Sequence, residues 1–476
     1  MIFSSLVFLC VFLPTVFLLY TIIPSLKARN GLLIIASLIF YAYGEPVYVL
    51  LMIFSALLNY FCARLAATGS DKKRKAVLIA DVAINLGILC VFKYTGFLVS
   101  SVNGLFGLGI PVPEITLPIG ISFFTFQALS YVIDVYLRRV DVQKSFFRVL
   151  LYISFFPQLI AGPIVKYRDI NDAIGNRRQD PVLVAQGMRR FICGLAKKVL
   201  IANTMGHAAD AVFSVGASDL SAAPAWLGAI AYLFQIYYDF SGYSDMAIGL
   251  GWMFGFRFKE NFMYPYGAVS VQDFWRRWHI SLSTWFKEYL YIPLGGNRKG
   301  RARTALNRIT VFFFTGLWHG ANWTFVLWGL YHGFFLLLEE YIPAVKRIPR
   351  WLSHVYTLLV VCVGFVLFRA DTVGQGFSMI GQMFGGFGFS SQSLSLALQQ
   401  LTPWFIVMLI AAIIGAAPIR PLADRVRGAI QSDGTALSGK QTAVQTALYI
   451  VSFLLLAWCI IRLSGSTYNP FIYFRF

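Results

Sequence analysis

Charge is scarce in this chain and acid scarcest of all: 21 Asp and Glu stand against 40 Lys and Arg in 476 residues, and charged residues make up only 13%. Ordinary soluble domains carry roughly 25%. A water-facing surface built from half that allowance would expose apolar patches large enough to aggregate, which excludes a soluble globule. Histidine is rare as well, with five in all: His207, His279, His319, His332 and His354. The six cysteines, Cys10, Cys62, Cys90, Cys193, Cys362 and Cys459, stand singly. Without CxxC spacing they offer neither a metal site nor a disulfide framework, and they read as small core hydrophobes.

Familiar catalytic signatures are missing too. There is no GxSxG nucleophile elbow, no GxxxxGK[ST] phosphate loop, no HExxH helix and no kinase set. A covalent serine hydrolase or an ATP-driven pump therefore lacks its parts, and neither a bound cofactor nor a metal is expected. No long linker and no soluble domain is visible, so residues 1–476 are expected to form a single membrane-embedded domain.

What is abundant is apolar surface, with 58% hydrophobic residues and a mean hydropathy of +0.67. A bilayer crossing needs about 20 apolar residues as helix. Met1 to Leu26 carries no charge, no basic region before it and no clean small-residue cleavage site after it, so it is expected to be a retained transmembrane helix. Further uncharged runs are Ile115 to Ile133, Val149 to Val165, Leu220 to Tyr238, Ile309 to Leu338 and Gln441 to Ile461, while Gly31 to Ala63 carries only Glu45 among acids.

The net charge of +19 invites a nucleic-acid reading. Lys and Arg gathered between apolar spans are equally what the bias of cytoplasmic loops demands, and no nucleic-acid partner is expected. Lys72, Lys73, Arg74 and Lys75 place their loop in the cytoplasm; Lys27 and Arg29 share that side if the chain breaks at Gly44, Glu45 and Pro46. The connection from Thr95 to Pro113, free of Lys and Arg, then lies outside, and Arg138 and Arg139 return inside. Val149 to Val165 breaks the alternation, since both flanks are basic. Pro157, Gly162 and Pro163 interrupt it, and broken backbone at membrane depth must be buried in protein or line a wet cavity. A re-entrant segment is one expectation, an ordinary kinked helix the other.

In a second basic region, Arg257 to Arg308, residues Trp275, Trp278, Leu282 and Trp285 recur at helical spacing beside Arg276, Arg277 and Lys287. This pattern describes a helix lying in the membrane interface. The run Arg298, Lys299, Arg301, Arg303 could meet phosphates, although a positive-inside loop looks the same.

His319 lies inside the uncharged run Ile309 to Leu338, flanked by Trp318, Gly320 and Ala321. An ionisable ring at membrane depth is costly and usually functional. With an ordinary pKa near 6.5, histidine can take and return a proton as the general base of a hydroxyl nucleophile; the bland alternative is a histidine bonded to a neighbouring helix. His279 is either a partner base or a local hydrogen-bonding group. His332 would sit well round a continuous helix from His319 and reads as packing, and His207 and His354 stand near span ends. Asp239, Ser241 and Asp245 belong to a polar cluster between apolar runs, which suggests a buried hydrogen-bond network or a metal or proton site, the network being preferred because no ligand-spaced His or Cys stands near.

Taken together, Leu117 to Phe123, Phe156 to Pro163, Asp239 to Asp245, Phe274 to Leu282 and Leu317 to Asn322 resemble the membrane-bound O-acyltransferases, in family order, most closely the branch that O-acetylates alginate. The resemblance implies an all-α polytopic membrane fold of roughly ten or more transmembrane helices, with re-entrant and interfacial helices around a central tunnel. His319 matches the family's catalytic histidine and His279 its second, less essential one. Trp318, Asn322, Asp239, Ser241, Asp245, Trp275, Arg276 and Trp278 are candidates for the tunnel wall or for substrate contact.

By the same resemblance, acetyl passes from a cytosolic thioester, acetyl-CoA, toward an extracytoplasmic polysaccharide, an alginate-like polymer or peptidoglycan. The location is a bacterial cytoplasmic membrane, and the expected partner is a separate extracytoplasmic SGNH-like acetyltransferase. The tail Tyr468 to Phe476 resembles endings of exopolysaccharide or peptidoglycan branches. The oxyanion donors are not identified. Two other functions are weighed: D-alanyl transfer to teichoic acid from a carrier protein, and a glycan or lipid transporter, for which no internal repeat is found.

Overall fold

The computed structural model describes residues 1–216, 219–342, 347–388, 390–417, 439–466 and 468–472, and among them all regular structure is helical. Among the described residues, four helices are long and apolar enough to cross a membrane: Tyr48–Ala67, Asp71–Phe106, Arg350–Arg369 and Thr442–Gly465. A fifth crossing is available if Ser391–Gln400 and Pro403–Ala416, bent by 70°, act as one. The resemblance implies roughly ten or more; several of the uncharged runs, Ile115 to Ile133, Val149 to Val165 and Ile309 to Leu338 among them, form shorter or broken helices.

The long helices carry their apolar residues outward. Leu50, Ile79, Ile410 and Leu454 are all more than half exposed, a surface that only lipid can cover. The helix Ile121–Tyr136 is the opposite case, buried at every position except Ile133 and Tyr136. At about 1.5 Å per residue it is only some 24 Å long and is wrapped by protein on all sides. It forms part of a core that no membrane-facing stripe could have built.

The centre of the molecule is the helix Ala222–Met253 lying against Pro181–Ala196, which continues through a π-helical segment, Lys197–Ala202, into Asn203–Phe213. Glycine makes the approach possible. A Cβ on Gly187 would fall 2.5 Å from the Gly249 carbonyl oxygen, and one on Gly194 2.5 Å from that of Gly242, distances that no side chain tolerates. Small residues of this kind let membrane helices pack backbone to backbone.

The Val149 to Val165 run breaks where its prolines and glycine require. The helix Phe146–Ser154 stops at Phe155, a single turn Phe156–Leu159 follows, and the chain runs on without helix to Val165, every residue of the run buried. Its basic flank is not a solvated loop. Lys166 Nζ lies 2.9 Å from Glu288, Arg168 lies 2.5 Å from Glu288 and 3.4 Å from Asp134, and Arg139 lies 3.4 Å from Asp134. This ion cluster ties the Ile121–Tyr136 helix, the broken segment and the Lys287–Tyr291 turn together. Burial alone would raise the Glu288 carboxyl, but Lys166 and Arg168 together hold it below its ordinary range.

Candidate active site

His319 ends a helix instead of sitting within one. The run Ile309 to Leu338, read as continuous, is a hairpin of two helices, Gly300–His319 and Trp323–Tyr341. Asn322 starts the second, its Oδ1 accepting the Thr324 N–H at 3.1 Å, the ordinary N-cap that stops a helix from running through. Consequently His319 and His332 do not share a helix, and the angular argument that separated them does not apply. The arms press together at glycine: a Cβ on Gly316 would lie 2.3 Å from the Phe325 carbonyl oxygen, and one on Gly329 2.2 Å from that of Phe312.

Aromatic rings fix the His319 imidazole from three sides. Trp318, Trp328 and Phe368 stand edge-on to it, with centroids at 5.1, 5.1 and 5.2 Å. The ring is 3% exposed, and its Nδ1 has no hydrogen-bond partner among the described residues. His332, fully buried, packs on Trp275 and Trp328 at 5.2 Å each.

The second histidine comes from the tryptophan-rich segment, which the structure places differently from the sequence reading. The segment is two short helices, Val271–Arg277 and Ile280–Phe286, broken at Trp278 and His279. Trp275, Trp278, Leu282 and Trp285 are all buried: Trp285 stacks on Phe126 at 3.7 Å, Trp278 meets Phe365 at 5.2 Å and Trp275 meets Phe312 at 5.1 Å. The stripe therefore faces protein and does not anchor the chain in the interface. Periodicity gives the face of a helix but not what lies against it.

His279 adopts φ 43° and ψ 53°, a left-handed conformation that a non-glycine residue takes only under constraint. The constraint is a strand-like brace from residues 261–263. Ile280 donates its N–H to the Asn261 carbonyl at 2.9 Å, Ser281 to Asn261 Oδ1 at 3.0 Å, and Met263 to the Arg277 carbonyl at 2.9 Å. Held this way, the His279 ring stands 6.4 Å from that of His319, centroid to centroid, and 6.0 Å from Trp318. Two of the five histidines are thus brought together from segments forty residues apart. Asn261, buried and without any feature that marks it in the sequence, was missed.

Two cavities reach the last turns of the His319 helix. A large one, about 710 Å³, is lined by Trp275, Arg276, Lys287, Arg298, Phe312 and Thr315, among others. A smaller one, about 240 Å³, is lined by Lys93, Leu117 to Phe123, Ile160, Trp318 and His319. Thr315 and His319 lie one helical turn apart, so the two hollows approach the same stretch of backbone. Arg298 from the basic run lines the larger, while Arg301 and Arg303 are exposed on the following helix.

The other sequence candidates divide. Trp318 and Trp275 contribute to the cavity walls, and Arg276 lines the large one. Asn322, besides its cap, donates to the Asp371 carbonyl at 3.0 Å and borders a separate hollow. Asp239, 1% exposed, pairs with Lys198 at 2.7 Å and accepts the Ile472 N–H at 2.9 Å; Lys198 also donates to the Pro470 carbonyl. Asp245 pairs with Arg190 at 2.8 Å and Lys197 at 2.7 Å. Ser241 is buried in the same helix. This cluster fastens the tail to the core, with Phe471 stacked on Tyr243 at 4.9 Å. Tyr473 to Phe476 lie outside the described residues.

The sequence profile of the membrane-bound O-acyltransferase family matches residues 137–369, the stretch that holds both histidines and the hairpin. A probable alginate O-acetylase of Azotobacter vinelandii is 40% identical over the full length of both chains. The chain belongs to the membrane-bound O-acyltransferase family. A peptidoglycan O-acetyltransferase of Helicobacter pylori is 38% identical over 83% of this chain and 82% of its own. A teichoic acid D-alanyltransferase of Bacillus subtilis is 28% identical over 52% of this chain and 68% of its own. As a member of the family, the chain is a membrane-embedded O-acyltransferase.

Proposed function

We propose that this chain carries an acetyl group from cytosolic acetyl-CoA to the outer face of a bacterial cytoplasmic membrane, for O-acetylation of an extracytoplasmic polysaccharide. The observation that carries the reading is that His319, with the His279 ring 6.4 Å away, lines the smaller cavity, while a larger cavity of unlike character reaches Thr315, one helical turn along the same helix. The larger has basic residues on its wall and belongs, by the positive-inside bias, to the cytoplasmic side. There Arg276, Lys287 and Arg298 meet the donor's phosphates, and the apolar floor at Trp275 and Phe312 takes its thioester arm. The smaller is built from the segment that follows the Lys- and Arg-free connection and opens to the outside, so that the two together form the family's central tunnel, with the shorter buried helices as its wall.

In the reaction, His319 accepts the proton of the acceptor hydroxyl as its oxygen attacks the thioester carbonyl carbon. The carbon–sulfur bond breaks and the proton passes to the departing thiolate. General base catalysis of this kind contributes roughly 10²- to 10⁴-fold, and His279 places a second imidazole beside it. The acetyl reading is preferred to D-alanyl because the relatives named for O-acetylation match over far more of the chain and at higher identity. A separate SGNH-like transferase on the outer side completes delivery to the polymer.

Mass spectrometry of the envelope polysaccharides tests this in cells with and without the chain. Acetyl esters are expected to disappear with the chain; loss of D-alanyl esters in their place would name the other donor, and no ester change would point to transport.

A further inference from the structure

Among the described residues, three lysines turned into the protein find acids and a fourth does not. Lys166 meets Glu288 at 2.9 Å, Lys197 meets Asp245 at 2.7 Å and Lys198 meets Asp239 at 2.7 Å. Lys93, far along the apolar helix Asp71–Phe106, has no ion-pair partner among the described residues; Glu45, which reaches the neighbouring loop, is engaged by the Ile119 N–H at 3.3 Å. Its Nζ donates to the Trp318 carbonyl at 2.5 Å, lies 3.4 Å from Ser122 Oγ, and sits on the wall of the 240 Å³ cavity that His319 also lines.

Capping accounts for only part of this. The last carbonyls of a helix need donors, and Tyr94, the next residue, supplies one to Leu317 at 2.7 Å with a neutral hydroxyl. A charge is not required for that task, and a cation without an acid in apolar surroundings is expensive. What would repay it is negative charge that appears only during reaction.

We propose that Lys93 stabilises the oxyanion of the acyl-transfer step. This rests on the acyl-transfer reading above. As the acceptor oxygen bonds to the carbonyl carbon and His319 takes its proton, the carbonyl π electrons move onto oxygen, where the Lys93 ammonium donates to them. When the carbonyl re-forms, the carbon–sulfur bond breaks and the thiolate leaves with the proton from His319. Lys93 exchanges no proton and is unchanged at the end. A preorganised donor of this kind is worth roughly 10²- to 10³-fold in rate.

The test compares initial rates of acetyl transfer from acetyl-CoA in membrane vesicles, normalised to the amount of membrane-inserted chain, for wild type, Lys93→Gln, Lys93→Arg, Tyr94→Phe and His319→Ala. Lys93→Gln keeps a neutral cap for Trp318 but removes the charge. Its kcat is expected to fall by about 10²- to 10³-fold with KM for acetyl-CoA little changed, while Lys93→Arg retains far more and Tyr94→Phe stays near wild type. The inference is overturned if Lys93→Gln keeps wild-type kcat, if it changes KM alone, if its activity falls only in proportion to its membrane level, or if Tyr94→Phe loses as much. His319→Ala that still transfers acetyl would sink the acyl-transfer reading itself, a separate result.

Discussion

Two polar clusters interrupt apolar sequence in this chain, and the structure gives them opposite fates. The Asp239 to Asp245 cluster is satisfied from within: each acid faces one or two cations, and the tail completes the set. His319, with the His279 ring 6.4 Å away, is surrounded by aromatic rings and lines a cavity, and Lys93 on the same wall has no acid among the described residues. A polar group in a hydrophobic run is therefore a sign of chemistry when it lines a cavity instead of closing into ion pairs. The first cluster holds the fold, and in the second His319 stands on a cavity wall where it can act.

The largest expected effect sharpens that contrast. His319→Ala should lower acyl transfer by at least roughly 10²- to 10⁴-fold while leaving the thermal unfolding midpoint near wild type. Asp239→Ala should do the reverse. It strands Lys198 in the core, and removing one partner of a buried pair costs about 3–5 kcal/mol, so the midpoint should drop and residues 468–472 should become open to protease, with activity per folded molecule less affected. Equal loss of specific activity in both variants would erase the distinction.

Asn261→Ala lies between the two regions. It deletes the Oδ1 acceptor for the half-buried Ser281 N–H beside the left-handed His279, a lost hydrogen bond worth about 1 kcal/mol. Stability should fall by that amount, and kcat should fall with it as His279 relaxes; a variant with wild-type kinetics would mean that the His279 geometry is idle.

The smallest effect concerns the ion cluster. The Glu288 carboxyl is held below its ordinary range in the folded protein, so its contribution is complete above the free carboxylate value of about 4.3 and is lost as pH falls through the depressed folded value. Glu288→Gln should therefore melt below wild type at neutral pH, and the gap should close in acid. A gap that widens in acid would contradict the assignment of the charges.

Much of the site could be read in the sequence because depth and rarity speak for themselves: His319 stands out as an imidazole among apolar residues, and Pro157, Gly162 and Pro163 announce the broken segment. The hairpin was hidden in a run without charge, although Asn322 ahead of Trp323 is an ordinary helix-start signal that could have divided it. The tryptophan stripe was seen as a stripe but assigned to lipid, since spacing along one helix does not reveal the helices packed against it. Lys93 and Asn261 carry no local signature. Each matters through a contact made with a segment far away in the chain, Trp318 for one and Ile280 and Ser281 for the other, and only the fold brings these together.

The most direct test of the central claim sets the two clusters side by side in one experiment: polysaccharide acetyl content per unit of membrane-inserted protein, in cells carrying wild type, His319→Ala or Asp239→Asn. The account predicts that His319→Ala reaches wild-type membrane levels with acetylation at the level of cells lacking the chain, whereas Asp239→Asn loses protein and acetylation in proportion. Substantial acetylation by the His319→Ala chain would contradict it.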